Sequence, residues 1–134
     1  MKAFMTATQE TNSALQDHID NQRMKQALSN MGFTFKETYG EYACQAEHTF
    51  IVDLPKGDED VVRLLELAES FRQECIMIEE KDGTYSLVDT DGDVTHESTG
   101  TRTYPTEEGN VLSNFTYIDG MLLVVDFEEV RDDS

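Results

Sequence analysis

Asp-Gly occurs three times in the second half of the chain, at 82–83, 91–92 and 119–120, each time between runs of alternating apolar and polar residues. Few signals restrict a fold as much as this one. Both residues of a two-residue hairpin turn take positive φ, which Asp and Gly tolerate and most residues do not. Three such turns commit this part of the chain to antiparallel strands. The runs around them predict strands at Cys75 to Glu79, Thr84 to Asp89, Asp93 to Glu97, Leu112 to Ile118 and Met121 to Phe127.

The first half reads differently. Residues 2–7 form a short apolar strand, followed by a polar stretch from Thr8 to Asp17. Ile19, Met24, Ala27, Leu28 and Met31 fall near helical spacing, so a helix begins near Leu15 or Ile19 and stops at Gly32. Phe33 and Phe35 open a second strand, the segment Gly40 to Glu47 is a turn, and His48 to Leu54 is a third strand. Pro55-Lys56-Gly57-Asp58 then breaks the pattern. Asp58 is the expected cap of a second helix over about 58–72, because its carboxylate can accept from free backbone amides. Val61, Leu64, Leu65, Ala68 and Phe71 make one apolar stripe on that helix. The expected class is α+β, with two helices packed on a mainly antiparallel sheet. The expected organisation is one domain over 1–127 and an acidic, frayed tail over 128–134.

Charge is unevenly spread. The formal net charge is -18 over 134 residues, yet Met1 to Gly40 holds four bases and four acids. The remainder holds 24 acids against six bases. Low hydrophobicity with high charge is a mark of disorder, but the apolar clusters at Phe50 to Val52, Cys75 to Ile78 and Met121 to Val125 oppose that for the body of the chain. Such a surface brings solubility and long-range attraction to cations or basic proteins. It disfavours nucleic acid and anionic membranes as direct ligands. No apolar run is long enough to span a bilayer, and the start lacks a signal-peptide core, so the expected location is the cytoplasm. Thiols stay reduced there, and Cys44 and Cys75 read as buried small apolar residues.

No catalytic motif stands out. Asp89-Thr90-Asp91-Gly92-Asp93 resembles the opening of a calcium loop, but Val94 and Gly100 stand where that loop needs glycine and a bidentate acid. A hairpin turn explains the same residues. His18, His48 and His96 lack metal-ligand spacing and sit beside the acids Asp17, Glu47 and Glu97. Serine-nucleophile and phosphate-loop signatures are absent. The residues therefore imply no catalytic group, no metal and no cofactor. One arrangement of acids does suggest a surface. Alternate strand residues share a face, so Asp89, Asp91, Asp93 and Glu97 would line one side if register held through the turn. Their carboxylates would then repeat every 6–7 Å or so, close to the phosphate spacing of a nucleic-acid strand.

Several short motifs carry a resemblance: Ala3-Phe4-Met5-Thr6-Ala7, Asn21-Gln22-Arg23 with Leu28, Gly40-x-Tyr42, Glu47-His48-Thr49-Phe50, and Phe71-x-Gln73-Glu74-Cys75. Over about residues 3–97 this pattern resembles a family of small, uncharacterised bacterial and bacteriophage-encoded proteins, with Thr49 and Cys75 where serine is usual. The resemblance implies a phage protein acting in the host cytoplasm, and no activity. It leaves a hairpin at about 110–127 as an addition to the family-like core. Arg23, Glu47, Gln73 and Glu74 are the polar members of the shared pattern, and are expected to form a structural polar network.

Charge and resemblance together predict a non-enzymatic acidic protein, a phage-encoded DNA mimic used in host takeover or anti-defence. It would inhibit a basic host protein that binds nucleic acid: a nuclease, a polymerase or a defence effector. The expected contact residues are Asp89, Asp91, Asp93, Glu97, Glu107 and Glu108, with Tyr104, Phe115 and Tyr117 as anchors. The alternative is a small enzyme or ligand-binding domain with a polar site near Arg23, Glu47 and Gln73.

Overall fold

A computed structural model describes residues 1–9, 11–42, 45–99, 101–103, 115–118, 121–124 and 128–129. The chain opens with β1 (Lys2–Met5), α1 (Ala14–Asn30), β2 (Phe35–Tyr42), β3 (Gln45–Asp53), α2 (Asp58–Ser70) and β4 (Cys75–Glu79). These six elements form a split β-α-β arrangement, with β1 between β3 and β4 and every pairing antiparallel. β5 (Tyr85–Asp89), β6 (Val94–Ser98), β7 (Thr101–Thr103), β8 (Phe115–Ile118), β9 (Met121–Val124) and β10 (Glu128–Glu129) extend the sheet at both edges. The full order is β10-β6-β5-β4-β1-β3-β2-β8-β9-β7. The expected α+β class is the observed one.

Both helices lie on one face. Met24 and Leu28 from α1 and Leu64, Leu65 and Ala68 from α2 are buried against Ala3, Met5, Phe50, Val52, Ile76 and Ile78. Each fully buried large side chain contributes about 1.5–3 kcal/mol by leaving water, so this cluster dominates the favourable side of folding. α2 carries the apolar stripe that its spacing predicts. α1 does not: Ile19 is 42% exposed, while Asp20 and Asn21 are buried in its place. Ser13 caps α1 by accepting from the Gln16 amide at 3.1 Å. Gly32 ends it with φ +83°, and the Phe33 amide reaches back to the Leu28 carbonyl.

The opposite face holds a second cluster: Phe4, Ile51, Tyr85 and Leu123. Leu123 lies on β9, four strands away from β1, so the sheet must curl to bring it against Phe4. Chain length demands the same. Four peptide steps separate Val124 from Glu128, a reach of about 14 Å. In a flat sheet, β9 and β10 would stand eight spacings or roughly 38 Å apart. The second face is therefore the concave inside of a curled sheet, and the helices pack outside it.

Four local expectations need correction. The turn expected over Gly40 to Glu47 is strand at 40–42 and 45–47, because β2 runs on to Tyr42 and pairs there with Gln45 of β3. Asp58 is not the cap of α2. Gly57 holds that position with φ +63°, and Asp60, two residues into the helix, accepts from the Lys56 amide at 2.9 Å instead. Asp89 and Glu97 do not share a face. Register shifts between Leu87 and Val88, so Glu97 lies opposite Ser86 and not opposite a residue of Asp89's parity. Glu128–Glu129, placed in a frayed tail by sequence, pair with β6.

Candidate functional site

β1 and β3 pair from Lys2 opposite Asp53 to Met5 opposite Phe50, and then the ladder stops. The cause is local. The Ala7 amide donates to Asn21 Oδ1 on α1 at 2.9 Å and is withdrawn from the sheet. Asn21, only 2% exposed, also donates to the Thr8 hydroxyl and the Asp17 carbonyl. The Gln9 amide donates to the Asp17 carboxylate, and the Gln9 side chain reaches the carbonyls of Phe71 and Arg72. Residues 6–9 are thus drawn toward the helices where β3 still runs on to Gln45, while β4 begins only at Cys75, level with Thr6. β3 and the residues leading into β4 are second neighbours, about 9–10 Å apart by strand spacing. The notch is the end of the sheet between β3 and residues 73–75, where β1 has left the ladder.

Glu47 stands on the β3 side of that notch. It shares the concave face with Thr49 and Ile51 by strand alternation. Cys75 opens β4 on the other side, shares its face with Met77 and Glu79, and lies opposite Asp89 of β5. Two buried hydroxyls sit between them. Thr6 donates to the His48 carbonyl, and Thr49 donates to the Glu47 carbonyl at 3.5 Å. Thr6 also accepts from the Thr8 amide at 3.0 Å. Gln73, just ahead of β4, donates to the Thr8 carbonyl at 3.0 Å and ties the notch together. Next to it Arg72 has φ +59°, the one non-glycine with positive φ among the described residues.

The electrostatics of this notch are one-sided. Burial pushes the Glu47 carboxyl up to about 7, against an ordinary 4.5. No cation forms an ion pair with it among the described side chains. Burial also raises the Cys75 thiol, and the negative charges of Glu74, Glu47 and Asp89 raise it further. Cys75 is therefore a protonated, half-buried thiol and a poor nucleophile at neutral pH. Near-neutral pKa values tend to mark functional carboxylates, because each small change in environment then changes the charge.

The residues singled out by sequence divide into groups. Glu47 and the exposed Glu74 both lie close enough to Cys75 to raise its thiol, and Gln73 reaches the Thr8 carbonyl nearby. Arg23 lies on the outer surface of α1, 3.9 Å from Asp20 and 5.9 Å from the centre of the Phe71 ring. Asp89 accepts from the amides of Asp91 and Asp93 at 3.0 Å, so its carboxylate holds the hairpin turn. Asp91, Asp93 and Glu97 are exposed. Phe115 and Tyr117 are β8 positions opposite Val124 and Leu122. Tyr104, Glu107, Glu108 and Cys44 lie outside the described residues. His48 pairs with Glu37 at 3.0 Å and not with its neighbour Glu47, because adjacent strand residues face opposite ways. Sequence reasoning quoted Thr6 and Asn21 within its motifs but gave neither a role. Their signal was faint: two polar residues at the end of a strand and in the middle of a helix.

No described helix is long and apolar enough to cross a membrane. No curated protein matches the chain. One family model matches residues 3–126, and it overturns the functional expectations drawn from the sequence. The family describes enzymes, so a non-enzymatic inhibitor, a DNA mimic and an anti-defence role all fall. It replaces the resemblance to uncharacterised phage proteins. Its span also runs well past residue 97, through β8 and β9, so these strands lie within the match. The chain belongs to the S-adenosylmethionine lyase family.

Proposed function

We propose that this chain is a lyase acting on S-adenosylmethionine, with its site at the notch between β3 and residues 73–75. The observation that carries the proposal is Glu47, a half-buried carboxylate raised to about 7 with no cation paired to it among the described side chains. S-adenosylmethionine brings the missing charge. It carries a sulfonium and an α-ammonium, and both need anionic neighbours once out of water. Glu74 and Asp89 add to the negative field around Cys75 and make the notch more welcoming to a cation.

Cleavage of a C–S bond sends its electron pair to sulfur, and the sulfonium becomes a neutral thioether. The carbon left behind gains a bond from within the substrate, its own carboxylate oxygen closing a ring as sulfur leaves, so no water is consumed and charge balances. Glu47 in its ionised form binds and orients the cationic end of the substrate. Once the positive charge is gone, that attraction weakens and the thioether departs. The overall acidity of the chain then serves a small cationic substrate and not a basic protein.

The test is direct. Purified protein incubated with S-adenosylmethionine is expected to release a thioether nucleoside by mass spectrometry, and in oxygen-18 water neither fragment gains label at the moment of cleavage. Glu47→Gln removes the charge and keeps the shape. It is expected to lower kcat/KM at least a hundredfold at pH 8, about 2.7 kcal/mol of lost transition-state stabilisation. Wild-type protein without turnover, or a fully active Glu47→Gln variant, sinks the proposal.

A further inference from the structure

The β3 backbone at Glu47 and His48 has a partner on only one side. Gly40 and Tyr39 of β2 pair with it, but β1 has already left the ladder after Met5. Even-numbered β3 residues turn their backbone groups toward β1, as the Leu54 amide does in donating to the Met1 carbonyl, so the His48 carbonyl is the one left at the ladder end. A buried carbonyl there needs another donor. The hydroxyl of Thr6, which is 8% exposed, supplies it. The Thr6 hydroxyl is itself oriented, since it accepts from the Thr8 amide while Asn21 holds the Thr8 hydroxyl. An unbroken series of hydrogen bonds therefore runs from α1 through residues 6–8 to the peptide beside Glu47.

We propose that Thr6 is a positioning residue for the lyase site: its hydroxyl fixes the β3 backbone at His48 and so sets where the Glu47 carboxylate stands in the notch. This rests on the functional reading above. Thr6 touches no reacting atom in this scheme. It acts through Glu47, and therefore on binding of the cationic substrate more than on the chemical step. Strand continuation places Thr6 level with Thr49 on one side and Cys75 on the other. Loosening it also admits water to the side of Glu47 that faces Cys75, Glu74 and Asp89.

The test compares Thr6→Val, which keeps the shape and removes the hydroxyl, with Thr6→Ser, which keeps the hydroxyl. Two readouts are taken on the intact protein. One is steady-state turnover of S-adenosylmethionine. The other is a carbon-13 NMR titration of Glu47, its resonance identified by loss in Glu47→Gln. Thr6→Val is expected to raise KM about tenfold with kcat within threefold of wild type. Its Glu47 midpoint is expected to fall at least half a unit from about 7. Thr6→Ser is expected to restore both. If Thr6→Val does not fold, Thr6→Ala removes the same hydroxyl and carries the same expectations. A hydroxyl-free variant with KM within twofold and an unmoved Glu47 midpoint overturns the proposal. So does a Thr6→Ser variant as impaired as Thr6→Val. Wild-type protein without lyase turnover would defeat the functional reading alone, because the titration would still decide whether Thr6 positions Glu47.

Discussion

Glu47 makes a quantitative claim about pH. Its folded pKa of about 7 lies above the ordinary 4.5. The folded state therefore holds this proton more tightly than the unfolded chain does. The stabilisation is complete below about pH 4.5 and is lost as pH rises through 7. From this group alone, the loss is about 2–3 kcal/mol between pH 4.5 and pH 8. Urea unfolding of wild type and Glu47→Gln at both pH values checks this, with the variant gaining relative stability at pH 8. Substrate binding should run the opposite way. A cation prefers ionised Glu47, so KM is expected to fall as pH rises from 6 to 8, and that slope should vanish in Glu47→Gln. Sequence reasoning grouped Arg23, Glu47, Gln73 and Glu74, preferred a structural network for them and kept a polar site near Arg23, Glu47 and Gln73 as the alternative. It could not see the raised pKa, because burial at a ladder end depends on where β1 stops. That in turn depends on Asn21, fourteen residues further on.

At the scale of elements, the spacing rules worked where one physical effect dominated. The stripe of α2 follows from burial, and the hairpins fall at Gly83 and Gly92 as expected. Only the glycines take positive φ, +87° and +90°, however. The loops are the three residues 81–83 and 90–92, closed by the Glu80–Thr84 and Asp89–Asp93 bonds, and not two-residue turns. The spacing rules failed where two effects competed. Asp58 looks like a cap, but Gly57 holds that position with positive φ and no side chain caps the helix, while Asp60 accepts from the Lys56 amide ahead of it. Asp60→Ala is expected to cost about 1–3 kcal/mol in a urea melt, since Asp60 is 2% exposed and its loss strands the Lys56 amide. Arg72 gives the opposite expectation. Its φ of +59° suits glycine, so Arg72→Gly should hold or raise stability by up to about 1 kcal/mol. The sequence also hid β7 and β10. Two- and three-residue strands carry too little alternation to read, and partners distant in the chain define them.

Over the whole molecule, the net charge of -18 gives a negative potential that draws a cationic substrate from a distance. Raising salt from 50 to 500 mM is expected to lower kcat/KM several-fold through KM, with kcat nearly constant. Stopped-flow or initial-rate measurements at fixed pH check this. The curl of the sheet was not legible at all. Nothing in the alternation of β8 and β9 says that Leu123 will meet Phe4 and Tyr85. That contact follows from the chain path, because Val124 and Glu128 are joined by too few residues to reach across a flat sheet. From sequence, the charge reads as attraction to cations or basic proteins. Its size pointed to a macromolecule, when the family indicates a small sulfonium.

The early end of β1 has a further consequence. Every rung added to the β1–β3 ladder beyond Met5 would supply backbone hydrogen bonds and fill the recess with main chain. Conformational stability and room for a guest molecule are then in direct opposition at this one spot. Selection for a sturdier sheet alone would extend the strand and erase the catalyst, and Asn21, by capturing a single amide, keeps the recess open.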